Sequence, residues 1–200
     1  MSQHRYYQAI GETSELLQRL LRDPTFHLLF THLMRLGPGP FHWGTLEASE
    51  IGDTLNWLLN RQVLASNAEA EALCNEAHRL VSEAIRDDPQ IPGRSAYLEQ
   101  VQGELAERLR QLLPDRATSD LMTNLIDGGN LLDPNVSEGF RRVPAHRVSK
   151  ASETLLQLTA DVLYPDRDAW DDVPAEDYAA WRLAYLSAAA AGHAMLVLRS

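Results

Sequence analysis

Prolines and glycines punctuate this chain at the ends of segments whose apolar residues recur every three or four positions, and that pattern constrains the fold most. Segments of that period, stopped by Gly37-Pro38-Gly39-Pro40, Asp88-Pro89, Pro114 and Gly128-Gly129, predict about eight capped α-helices and no strand. The expected architecture is all-α: a compact bundle of about seven to eight helices in one domain over residues 1–200. A chain of 200 residues, 44% hydrophobic and 23% charged, has room for a core without staples.

The expected helices can be placed by their ends. The first spans about Gln3 to Arg22, with Tyr6, Tyr7, Ile10, Leu16, Leu17, Leu20 and Leu21 on its apolar side. Asp23 caps the second, whose first turn accepts Pro24 because the missing amide has no helical partner there. A third covers about Thr45 to Leu64, and Ser66-Asn67-Ala68-Glu69 opens a fourth with capping-box spacing. Ser95 is read as the cap of a fifth that ends at Leu113. A short helix covers about Thr118 to Asp127, and residues from Gly128 to Arg142 read as irregular. A seventh runs from Pro144 to Tyr164. The last runs from Pro174 to Leu198 and, being alanine-rich, is expected at the centre of the bundle.

Composition limits function as well. A lone cysteine, Cys74, excludes an intramolecular disulfide and points to a reducing compartment, with the cytoplasm as the expected location. The N-terminal residues lack the apolar run of a secretory signal, and no window reads as a membrane span. The formal net charge is −10, so the long-range field repels nucleic acid, and direct nucleic-acid binding is not expected. Nearly all basic residues are arginine, Lys150 being the only lysine, which is read as the coding bias of a bacterium or its phage.

The candidate sites are few. Asp161, Asp166, Asp168, Asp171, Asp172, Glu176 and Asp177 face only Arg167 in their stretch of sequence. That stretch reads as a solvated loop beside a helix start or as an acidic docking surface for a basic partner, with Asp166, Asp168, Asp171 and Asp172 as the partner-binding residues. It lacks the turn glycine of a calcium loop. Phe41 and Trp43, in the Gly-Pro loop, either anchor a partner or plug the end of the bundle. Arg141, Arg142, Arg147 and Lys150 form a basic cluster that can hold phosphate or pair with the acidic stretch. Cys74 and His78, four apart on one helix, could supply two metal ligands, though two do not make a site. His193 closes the small-residue run Ser187 to Gly192, where it could serve as an axial haem ligand, close helix packing being the simpler reading.

Arg141 and His146 have an Arg-x4-His spacing that resembles the catalytic motif of HEPN ribonucleases, which are helical bundles. That resemblance implies that His146 acts on a ribose hydroxyl while Arg141 stabilises phosphate charge. Val143 and Pro144 depart from the polar residue and continuous helix of that family. No segment names a cofactor, and none is expected. The leading expectation is a non-enzymatic acidic interaction protein, an adaptor, regulator or inhibitor that binds a protein partner and, in a sharper form, imitates nucleic acid. A helical enzyme or a metal or haem binder is the rival class. An apolar helix stripe can face a core or a second copy, so homodimerisation stays open.

Overall fold

A computed structural model describes residues 4–36, 48–60, 64–90, 95–99, 102–132, 139–165 and 173–199. The all-α expectation is overturned. Five strands, β1 (His4–Ile10), β2 (Ser95–Glu99), β3 (Asn130–Leu131), β4 (Phe140–Val143) and β5 (Ala194–Arg199), form one antiparallel sheet in the order β2-β1-β5-β4-β3. Helices α1 (Glu15–Arg22), α2 (Pro24–Leu36), α3 (Ala48–Asn60) and α4 (Asn67–Asp87) follow β1. Helices α5 (Gln102–Leu112) and α6 (Arg116–Asp127) follow β2. Helices α7 (Ala145–Gln157), α8 (Ala160–Leu163) and α9 (Val173–Ala190) lie between β4 and β5.

The two layers of helices cover opposite faces of the sheet. Ile10, Phe140, Ala194, Leu196 and Leu198 pack with α1 to α4, whereas Tyr7, Ala9, Ala96, Leu98, Val143, Met195 and Val197 pack with α5 to α9. Alternate residues of β5 therefore enter different cores, as the two-residue period of a strand requires. The central pair joins the beginning and end of the described chain, with Ile10 opposite Ala194 and Arg5 opposite Arg199. Tyr6 and Tyr97 are directly opposed on β1 and β2 with ring centroids 4.9 Å apart, a cross-strand aromatic contact of the kind that stabilises sheets.

Three of the expected helices are divided or shortened by strands. The expected first helix divides into β1 and α1 at the turn Gly11 to Ser14, where the Ser14 side chain accepts from Leu17 N–H and caps α1. The expected fifth helix divides into β2 and α5, so Ser95 begins a strand. The expected last helix stops at Ala190. Gly192 then takes φ +67°, with its N–H donating to Ala189 O and the N–H of His193 donating to Ala188 O. The chain reverses there and continues as β5.

Other ends agree with local chemistry. Asp23 accepts the amides of Thr25 and Phe26 at the start of α2, and Ser66 accepts that of Glu69 at the start of α4. Beyond α6, Gly129 has φ +74°, and a Cβ there would overlap the Arg142 carbonyl, so the close approach of this turn to β4 requires glycine. No helix among the described residues is long and apolar enough to cross a membrane.

Candidate functional site

The strand register builds a cleft at one end of the sheet. Since Ile10 pairs with Ala194, the next residues outward, Gly11 and His193, leave β1 and β5 side by side. Gly11, Thr13, Ser14, Glu15 and Leu16 form one wall where β1 turns into α1. The last turns of α4 form the other, with Leu80, Glu83, Ala84, Asp87 and Asp88. His193 completes a cleft of about 370 Å³.

Its polar lining is strongly acidic. Glu15, Glu83, Asp87 and Asp88 all border the space. Arg79 reaches Glu15 at 3.1 Å and Glu83 at 2.6 Å, drawing α1 and α4 together, and Arg86 lies 3.5 Å from Asp87. His193 Nδ1 lies 3.4 Å from Asp88 Oδ2. Asp88 also accepts the Gln90 amide at 3.2 Å, which places the carboxylate beyond the C-terminus of α4.

Chemically, this arrangement attracts cations. Among the described residues no three His, Cys, Asp or Glu side chains are placed to hold a metal ion, so the carboxylates form a distributed charge and not a coordination shell. Ser14 Oγ is engaged in capping α1. An elongated basic side chain, able to meet carboxylates from both walls, matches the spread of charge.

A second junction ties the sheet to α7. Glu12 accepts from Ala145 N–H at 2.8 Å and meets Arg142 at 2.7 Å. Burial would raise the Glu12 carboxyl, but the Ala145 amide, the Arg142 guanidinium and nearby His146 outweigh it and hold it below its ordinary value. Glu12 thereby supplies the cap that Pro144 cannot give to α7.

The structure places the residues picked out from sequence as follows. Arg141 lies on β4, donates to Gly129 O at 3.2 Å and is half-buried, while His146 is exposed in the first turn of α7. A strand and Pro144 separate them, so they do not share the single helix that the Arg-x4-His resemblance implies. Arg142 meets Glu12 and Arg147 donates to Asn124 Oδ1 at 3.2 Å, which gives the basic cluster partners in the turn after β1 and in α6. Cys74 is buried in the core beneath α4, where burial pushes its thiol up to about 11, and His78 is exposed on the same helix.

His193 does enter a cleft, but a polar one facing Asp88, and the run before it is the end of α9, where Ala188 is buried and Ala190 exposed, followed by an exposed tight turn. Asp166, Asp168, Asp171, Asp172, Phe41 and Trp43 lie outside the described residues. Glu83, Asp87 and Asp88 are neighbours at the end of α4, with Glu83 and Asp87 four apart on one helix face, a local signal, whereas only the packing of α1 on α4 brings Glu15 to them and only the β1–β5 register brings His193. No family model, curated protein or solved structure matches this chain.

Proposed function

We propose that this chain is a non-enzymatic acidic interaction protein that docks a basic segment of a protein partner, acting as an adaptor, regulator or inhibitor. The observation that carries the reading is the cleft between α1, α4 and the start of β5, bordered by Glu15, Glu83, Asp87 and Asp88, in a chain of net charge −10. Such a field accelerates encounter with basic surfaces and repels nucleic acid and other polyanions. The segment around Asp166, Asp168, Asp171 and Asp172 carries further negative charge and is read as an acidic docking surface of its own.

The test is capture of a basic partner from lysate of the source cell by three forms of the protein. Glu83→Gln with Asp87→Asn is expected to abolish capture while the circular dichroism of the fold is unchanged. Neutralising Asp166, Asp168, Asp171 and Asp172 together asks whether that segment contributes. Capture that survives both sets of changes would overturn the reading. Competition between this protein and nucleic acid for the captured partner would support the mimicry form, and simultaneous binding would reject it.

A further inference from the structure

A buried histidine ties α2 to the start of β4. His27, in the first turn of α2, is 2% exposed, and its Nε2 accepts the Phe140 amide at 3.2 Å. A backbone amide can only donate, so Nε2 is the unprotonated nitrogen of a neutral imidazole. The chain lies close against that nitrogen. A Cβ on Gly139 would stand 3.1 Å from Nε2 and 3.9 Å from Oγ1 of Thr31, one turn along α2. Phe140 is fully buried, its ring 6.1 Å from the imidazole and 5.4 Å from Phe30.

An imidazolium carries hydrogen on both nitrogens, so the proton and this hydrogen bond exclude each other. Charges on the packed elements can move the pH of protonation but not that exclusion. Asp23, at the start of α2, takes the Thr25 and Phe26 amides and Arg19, and Arg19 also reaches Glu76 of α4. On β4, Arg141 is directed to Gly129 O and Arg142 to Glu12. His32 of α2 stacks on Trp57 of α3, where Asp53 is exposed, and Asp133 and Glu138 precede Gly139 in the sequence.

We infer that His27 is an acid-released latch, which holds the start of β4 to α2 while its imidazole is neutral and lets Gly139 and Phe140 part from α2 when it takes a proton. The other end of β4 stays tied, because Glu12 holds Arg142 and the Ala145 amide with a carboxyl that lies below its ordinary value and so keeps its charge. The closed latch excludes the proton that an open form takes near pH 6.5, so it is fully held above that value and weakens as pH falls below it. This inference does not rest on the docking role.

The test is hydrogen exchange of the Phe140 amide by NMR, corrected for the intrinsic rate at each pH. Protection is expected to fall about tenfold from pH 7.5 to 5.5, the ratio set by one proton taken up on opening near pH 6.5. The Leu196 amide, in the central strand, should lose less. His27→Gln, whose side-chain carbonyl accepts an amide without ionising, should hold its protection across that range, while Asp133→Asn with Glu138→Gln should keep the fall. An undiminished fall in His27→Gln, or an equal fall at Leu196, would overturn the inference. In the unaltered protein, a nitrogen-15 shift showing a proton on His27 Nε2 while the Phe140 amide stays protected would overturn it as well.

Discussion

The two faces of the sheet are held in different ways. On the side of α1 to α4 the core is mainly aliphatic and phenylalanine: Leu16, Leu17 and Leu20 meet Phe26, Phe30, Leu33 and Leu80, with Gln8, His27 and Thr31 as buried polar side chains. His27 Nε2 accepts the Phe140 amide at 3.2 Å. Charged contacts stand at the rim, where Arg19 meets Glu76 and Arg79 meets Glu15 and Glu83. On the side of α5 to α9, hydroxyls and guanidinium groups enter the core itself. Tyr7 and Tyr185 donate to Ile126 O and Leu125 O at the end of α6, with Arg5 joining Tyr7 on Ile126 O. Tyr178 donates to Leu158 O and Arg182 to Leu155 O and Leu156 O, which serves the end of α7.

The difference separates shape from direction. Dispersion and hydrophobic burial are indifferent to a small slide of one helix along another, but a hydrogen bond to a particular helix-terminal carbonyl is not. The polar layer therefore fixes where α6 and α7 end relative to α9, while the other layer relies more on volume and keeps its ion pairs at the rim, where they border a cleft. Burial around the tyrosines raises the Tyr185 hydroxyl far above its ordinary range, so it stays protonated and a donor.

Trp181 is fully buried between Tyr178 and Tyr185 on the face of α5 to α9. Trp181→Ala is expected to cost about 3–5 kcal/mol, read from the urea midpoint, because it removes the largest side chain of the polar layer and leaves a cavity. A loss below that of an ordinary surface change would mean that the aromatic cluster does not anchor α9. Tyr7→Phe and Tyr185→Phe sharpen the claim about direction. Each should cost about 1 kcal/mol by leaving a helix-end carbonyl one donor short, and neutral effects for both would reduce the layer to shape packing.

The smallest effect belongs to Glu12, which links the junction before α1 on one face to α7 on the other. Its folded carboxyl is lowered from the ordinary value of 4.5, so its contribution is present above that value and lost as pH falls through the lower folded one. Glu12→Gln should therefore remove about 0.5 kcal/mol at neutral pH, allowing for solvent screening, and flatten the acid limb of a stability–pH curve. An acid limb identical to that of the unaltered protein would show that the junction carries no linked charge.

Helix ends were legible wherever a short-range hydrogen bond decides them. Asp23-Pro24, Ser66 with Glu69, and Gly128 after α6 act within a few residues, and the structure places helix ends at each. The strands were not legible, for a reason visible in β5. Ala194, Met195, Leu196, Val197 and Leu198 are all fully buried, so the run shows no polar alternation to separate a strand from a helix tail. In β1 the consecutive residues from Tyr7 to Ile10 are likewise buried, and Gln8 among them offers the sole polar mark. Of the candidate site, His193 stood out locally, but its partner Asp88 is more than a hundred positions away.

By itself the sequence determined the caps of α2 and α4, the amphipathic stripes of those helices, the acidic charge and the burial-prone cysteine, since each depends on chemistry within a few residues or on composition. Tertiary structure alone decided that His4–Ile10 and Ala194–Arg199 pair as the centre of a sheet, which layer each helix covers, and that Glu15, Glu83, Asp87, Asp88 and His193 meet in one cleft. A strand's hydrogen bonds are made to partners remote in the chain, and like the field of gathered carboxylates they exist only once the chain has folded.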